Sequence, residues 1–147
     1  YNQYPQIFEI IKNCHHRYGG KIIVLNGKID QYMKKNGATV VNTASPVDFI
    51  RYFANASFVV TSSFHGTIFS LNFKVPFISV VDDRIGRDSR VTDLLDLLGA
   101  ERFKQIYSAP VDDNKDLSYT SEISDKIERF RNESLKFLEK ALHNATI

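Results

Sequence analysis

Short apolar runs without polar alternation, each joined to the next by a helical pattern, constrain the fold of this chain most strongly. Residues 58–61 and 76–81 are β-rich and apolar along their length, as expected of strands covered on both faces. Further short β-rich runs occur at residues 21–25, 38–42 and 104–107. The alternation predicts an α/β protein, a three-layer Rossmann-like domain with a mostly parallel sheet between helices.

Helical patterns fill the segments between these strands. The clearest start is Ser45-Pro46-Val47-Asp48, because Ser45 can cap a helix, Pro46 suits its first position and Asp48 favours its positive end. A stripe of Val91, Leu94, Leu95 and Leu98 indicates another helix. The full set of predicted helices covers residues 4–18, 30–35, 46–55, 65–73, 89–98 and 121–143.

The last predicted helix, residues 121–143, carries an apolar stripe at helical spacing. Its members are Ile123, Ile127, Phe130, Phe137 or Leu138, and Ala141. A stripe of this kind predicts an amphipathic helix with one face against the core.

Bulk composition excludes several classes of protein. The chain has 147 residues, 43% hydrophobic and 24% charged, which is typical of one folded globular domain. Its net charge of +2 gives no basic excess, so we expect no nucleic-acid partner. We expect residues 1–147 to form one domain, the C-terminal half of a longer enzyme whose N-terminal domain is absent. Because Cys14 is the single cysteine and we expect no signal peptide, we expect a cytoplasmic location.

The most informative motif is Ser62-Ser63-Phe64-His65-Gly66-Thr67, at the turn from a predicted strand into a predicted helix. In parallel sheets, ligands bind at the carboxyl ends of strands. A helix N-terminus there offers free N–H groups and a favourable dipole to an anion. His65 is a candidate general acid or base, and Ser62, Ser63, Gly66 and Thr67 are candidate ligand contacts. The alternative is that a serine only caps the helix and His65 is an ordinary polar residue.

A second candidate lies in the loop after residues 76–81, which reads Asp82-Asp83-Arg84-Ile85-Gly86-Arg87-Asp88-Ser89-Arg90. Arg84, Arg87 and Arg90 are candidates for binding a phosphate or carboxylate. The alternative is a solvated loop with weak Asp–Arg pairs. Cys14-His15-His16 is the one segment that suggests a metal, but Cys14 falls on an apolar stripe, so core packing is favoured over ligation. We expect no metal and no cofactor.

The segment from Ala54 to Val80, which reads ANASFVVTSSFHGTIFSLNFKVPFISV, resembles the central motif of the polysaccharide pyruvyl transferase family. The resemblance extends over residues 21–102. It implies one half of a GT-B-like two-domain bacterial enzyme, with Rossmann-like halves facing across a cleft. It also implies transfer of a pyruvyl group from phosphoenolpyruvate to a saccharide acceptor, giving a ketal in a cell-surface or exopolysaccharide.

The resemblance also implies roles for individual residues. Family members carry a histidine in the donor site at the position of His65, which would act as general acid. Many of them have an arginine two residues earlier, where this chain has Ser63. Arg84, Arg87 or Arg90 would then supply the missing charge. Peripheral membrane association of the parent enzyme is a further expectation.

Two other functions remain open at this stage. A GT-B-type glycosyltransferase would bind a nucleotide-sugar diphosphate at a similar strand-to-helix turn. A non-catalytic domain for glycan binding or assembly would instead have His65 buried and hydrogen-bonded away from any cleft. In either enzymatic case, we expect this chain alone to be inactive, because half of the active site would come from the other domain.

Overall fold

Helices and parallel strands alternate along the chain in the computed structural model, which describes residues 5–82, 89–112 and 114–144. The helices are α1 (Pro5–Tyr18), α2 (Gln31–Lys35), α3 (Pro46–Ala54), α4 (Phe64–Phe73), α5 (Ser89–Leu98) and α6 (Ser121–Asn144). The strands are β1 (Ile23–Leu25), β2 (Thr39–Val41), β3 (Val59–Thr61), β4 (Phe77–Val81) and β5 (Lys104–Ile106), with a 3-10 turn at Glu101–Phe103. Each predicted element is present within a few residues of its expected bounds.

All the strand pairs are parallel, which confirms the α/β class and is consistent with a Rossmann-like fold. β1 pairs with β2, and β4 lies between β3 and β5. The expected single sheet is therefore two hydrogen-bonded sheets. In the described ranges, no strand lies between β1 and β3 to connect the two sheets.

The predicted start of α3 is confirmed in detail. The Ser45 hydroxyl accepts a hydrogen bond from the Asp48 amide, and the Asp48 carboxylate accepts one from the Ser45 amide, each at 3.2 Å. Pro46 occupies the first turn, as expected. The hydrogen bonds from Ser45, above all from its hydroxyl, lower the pKa of the Asp48 carboxyl. This reciprocal capping box fixes where α3 begins.

The core lies around β4, all five residues of which are buried. Phe77 stacks on Phe103 with ring centroids 4.5 Å apart. α5 contributes the predicted apolar stripe, of which Val91, Leu95 and Leu98 are buried. A strand buried on both faces accounts for the absence of polar alternation in its sequence.

α6 divides into a packed half and an exposed half. Ile123 and Ile127 are buried in the core, as the apolar stripe predicts. Phe130 and Phe137, from the same stripe, are 47% and 76% exposed. The predicted helix is therefore confirmed, but its core-facing stripe is buried only at the first two positions, because the helix runs past the body it packs on.

Candidate functional site

The turn between β3 and α4 places the predicted motif at the carboxyl end of a buried sheet. β3 ends at Thr61, and α4 begins three residues later at Phe64. The Ser63 amide donates a hydrogen bond to the Thr61 hydroxyl at 3.0 Å, which holds the turn against the strand end. Ser62 and Ser63 are half-buried here.

Ser63 occupies the capping position of α4, but its side chain makes no capping hydrogen bond. Within the described part of the chain, no protein acceptor takes the amides of Phe64, His65 and Gly66. Such amides, together with the helix dipole, form an arrangement that suits a bound anion. The serine therefore leaves the first turn open instead of closing it.

His65 lies on this first turn and its side chain is exposed. Its ring meets the Phe64 ring edge-on, with centroids 6.2 Å apart. Within residues 5–82, 89–112 and 114–144, no hydrogen bond or ion pair engages the imidazole. The buried, hydrogen-bonded histidine expected of a non-catalytic domain is thus not what the structure shows, and the imidazole is accessible to a ligand.

Arg90 reaches the same turn from the start of α5. Its guanidinium carbon lies 5.0 Å from the centroid of the Phe64 ring, a cation–π contact. No described carboxylate pairs with it, and it lies in the first turn of a helix, where a cation is mildly unfavourable. The contact brings a fixed positive charge to Phe64, the residue that precedes His65 on the first turn of α4. Arg84 and Arg87, the other predicted ligands, lie outside the described residues.

Gly66 faces the protein interior. A methyl group at this position would lie 2.2 Å from the Thr61 hydroxyl oxygen and 3.0 Å from the Thr61 Cβ. Only a residue without a side chain lets α4 approach β3 so closely. The glycine was predicted as a ligand contact, and the structure places it at this helix–strand contact.

Thr67 is fully buried. Its hydroxyl donates to the Ser63 carbonyl at 3.1 Å and lies 2.7 Å from the Ser79 hydroxyl on β4. The first hydrogen bond joins α4 to the turn and the second joins α4 to β4, so the structure uses this side chain to position α4. Its predicted role as a ligand contact remains untested.

Asp82 is a residue that the site prediction left out. It directly follows β4, at the same edge of the sheet as the turn into α4, and is 3% exposed. A carboxylate rarely reaches such burial without compensating partners. The sequence signal that could have identified Asp82 was its position, because it is an acidic residue directly after an apolar strand.

The Cys14-His15-His16 segment is structural, as favoured from its sequence. Cys14 packs against the hydrophobic core. The two ring nitrogens of His15 make hydrogen bonds to the Tyr32 hydroxyl at 2.7 Å and to the Gly20 carbonyl at 3.0 Å. No group of three or more His, Cys, Asp or Glu side chains in the described residues could hold a metal.

A pocket of about 330 Å³ lies elsewhere, between α1 and the segment after β5. Its lining includes His16, Arg17, Ile78, Asp112 and Lys115, but neither His65 nor Arg90. The lining residue Tyr18 stacks on Phe58, directly before β3, and Ile78 is the second residue of β4, so the pocket lies toward the amino ends of the strands. We therefore place the candidate site at the first turn of α4 and not in this pocket.

The fold and the turn define an α/β protein with an open helix N-terminus and an exposed histidine at the edge of a parallel sheet. The family model of polysaccharide pyruvyl transferase matches residues 1–84. The chain belongs to the polysaccharide pyruvyl transferase family. The matched range contains the whole β3–α4 turn and ends before α5, so it is shorter at its C-terminal end than the resemblance seen in the sequence.

Comparison with curated proteins and with solved structures found no match. Among the described helices, none combines the length and the apolar character needed to cross a membrane.

Proposed function

We propose that this chain is the donor-binding part of a pyruvyl transferase that uses phosphoenolpyruvate and modifies a sugar of a bacterial cell-surface or exopolysaccharide. The observation that carries the proposal is the exposed His65 on the uncapped first turn of α4, a turn whose Phe64 ring is in contact with the Arg90 guanidinium. Membership of the family supports transferase chemistry. The identity of the donor is our inference from the family, and the charges around the turn are compatible with it.

The donor is a small anion with two charged groups, a phosphate and a carboxylate. The free amides of the first turn of α4 suit one of these groups, because they present N–H donors at the positive end of a helix. Arg90 suits the other group, since a guanidinium binds planar carboxylates and phosphates through paired hydrogen bonds. Arg84 and Arg87 are proposed as further ligands from their place in the sequence.

The chemistry requires one proton to be delivered and phosphate to leave. In the first step a sugar hydroxyl loses its proton and adds to carbon 2 of phosphoenolpyruvate while carbon 3 accepts a proton and becomes a methyl group. In the second step another hydroxyl of the same sugar replaces phosphate at carbon 2, which closes the ketal and releases a proton. We assign His65 as the general acid for the proton to carbon 3 or for phosphate departure.

The acceptor requires surface that this turn does not provide. We propose that the chain is one half of a GT-B-like enzyme, and that a facing domain contributes most of the saccharide site. It follows that the chain alone binds the donor without turning it over. Binding and catalysis can therefore be tested separately.

Donor binding is tested by calorimetric titration of this chain with phosphoenolpyruvate and, in parallel, with a nucleoside diphosphate. We expect heat of binding with phosphoenolpyruvate only. Replacing Arg90 with Gln should weaken binding about tenfold, because a charge-assisted hydrogen bond is lost. Arg51→Gln is the matched control, since Arg51 lies on α3 and pairs with Asp48 at 3.9 Å, and it should bind normally.

Two results would count against the proposal. Binding of the nucleoside diphosphate without phosphoenolpyruvate would favour a nucleotide-sugar glycosyltransferase. Absence of phosphate release when the full-length gene product is given phosphoenolpyruvate and a panel of bacterial glycans would exclude pyruvyl transfer to those acceptors.

A further inference from the structure

The second half of α6 presents an apolar surface that the rest of the described chain does not cover. Every residue from 132 to 144 is exposed. Phe130, Leu135, Phe137, Leu138 and Leu142 are between 47% and 76% exposed, on a helix whose first half is packed in the core. The segment is about 20 Å long at 1.5 Å per residue. Clustered apolar side chains of this size mark an interaction surface.

The order of side chains along this surface indicates what covers it. Phe130 and Phe137 are seven residues apart. Ser134 lies between them and Ala141 follows them, and these two residues are also seven residues apart. This is the heptad spacing of paired helices, with large and small residues at alternate core positions. We propose that the exposed half of α6 pairs in antiparallel orientation with α6 of a second copy of this chain.

One register pairs each phenylalanine with a small residue of the second copy. When Phe137 faces Ser134 of the second copy, Phe130 faces Ala141 of that copy, so each large ring meets a small residue. Close packing of helices favours this large-to-small matching. Burial of Ser134 leaves no unpaired donor, because its hydroxyl already donates to the Phe130 carbonyl at 2.8 Å.

The residues Phe130, Ser134, Phe137 and Ala141 form the line of contact between the two helices, here called the seam. Charged residues beside the seam support the same register. Glu133 and Lys140 are also seven residues apart, each one position before a small residue of the seam. In the antiparallel register, Glu133 of each copy meets Lys140 of the other, which gives two ion pairs related by the two-fold axis. Neither side chain has an ion-pair partner among the described residues. This complementarity favours a second copy over a partner of unrelated sequence.

The dimer is tested by sedimentation equilibrium of the full-length gene product. We expect a reversible dimer. Phe137→Asp should weaken it by about a hundredfold or more, because a central aromatic side chain is lost from the seam. Glu133→Lys should weaken it about tenfold, since two attractive pairs become repulsive. Glu133→Lys combined with Lys140→Glu should restore the dimer to within a few-fold.

Lys136 and Glu139 provide the matched control, because they lie on the opposite face of the same helical segment. Exchanging their charges should leave dimerisation unchanged, and circular dichroism should show equal helix content in every variant. A full-length gene product that stays monomeric at all concentrations would overturn the proposal. A dimer that is insensitive to Glu133→Lys, or is not restored by the double exchange, would also overturn it.

Discussion

The two halves of the Ser62–Thr67 motif are adjacent in sequence but have opposite surroundings. His65 is exposed and Ser62 and Ser63 are half-buried, whereas Gly66 and Thr67 are buried against β3 and β4. In the outer half, the side chains of Ser62, Ser63 and His65 make no hydrogen bond to other described residues. The inner half is in contact with Thr61 and Ser79.

This difference separates the residues that form the site from those that position it. A side chain that makes no hydrogen bond or ion pair with the described residues, such as that of His65, is free to serve a ligand. Gly66 and Thr67 instead hold the helix N-terminus at a defined place above the strand ends. Substitutions in the inner half should therefore reduce stability, and those in the outer half should reduce function only.

The largest loss of stability is expected for Gly66→Ala. The added methyl group would lie 2.2 Å from the Thr61 hydroxyl oxygen, so either the Thr61 side chain or α4 must shift. Overpacking of this kind costs about 1–3 kcal/mol, occasionally more. Urea unfolding followed by circular dichroism measures the free energy of unfolding.

Thr61→Ala provides the control for that experiment, because it removes the oxygen that the new methyl group would meet. In a Thr61→Ala background, Gly66→Ala should cost less than half as much as in the parent protein. An equal cost in both backgrounds would show that the close approach to Thr61 is not the reason for glycine.

A smaller loss is expected for Thr67→Val. The hydroxyl of Thr67 donates to the Ser63 carbonyl, so Ser79 is the donor in their 2.7 Å hydrogen bond. Valine would leave the buried Ser79 donor unpaired, at a cost of about 1–3 kcal/mol. Ser79→Ala should cost less, since it leaves an acceptor and not a donor. Additive costs in the double variant would contradict a direct hydrogen bond between the two hydroxyls.

The smallest effect is expected for Ser63→Ala. Ser63 stands at a capping position without a side-chain capping bond, so alanine should change the free energy of unfolding by only a few tenths of a kcal/mol. Ser45→Ala is the matched comparison, because Ser45 caps α3, and it should cost about 1 kcal/mol. Equal losses for the two serines would show that Ser63 also stabilises its helix.

The elements of the fold could be predicted from the sequence because their signals are local. The start of α3 is determined by Ser45, Pro46 and Asp48, which are neighbours in the chain. The buried strand β4 is a continuous apolar run. The division into two sheets was not predictable, because strands of three residues carry no information about which edges pair.

The candidate site was predictable only in part. The motif and its place at a strand-to-helix turn follow from local sequence. The inward position of Gly66 depends on Thr61, and the contact of Arg90 with Phe64 joins residues 26 positions apart. Contacts of this kind arise from tertiary packing. For the same reason the sequence did not reveal that α6 extends beyond the core after Ile127.

The most direct test of the account is a pair of measurements on His65→Ala in the full-length gene product. Because the side chain is exposed and forms no hydrogen bond in the described structure, the free energy of unfolding should change by less than about 0.5 kcal/mol. The rate of phosphate release from phosphoenolpyruvate in the presence of the glycan acceptor should fall roughly 10²-fold or more. Near-normal turnover by a stably folded His65→Ala variant would contradict the assignment of this turn as the active site.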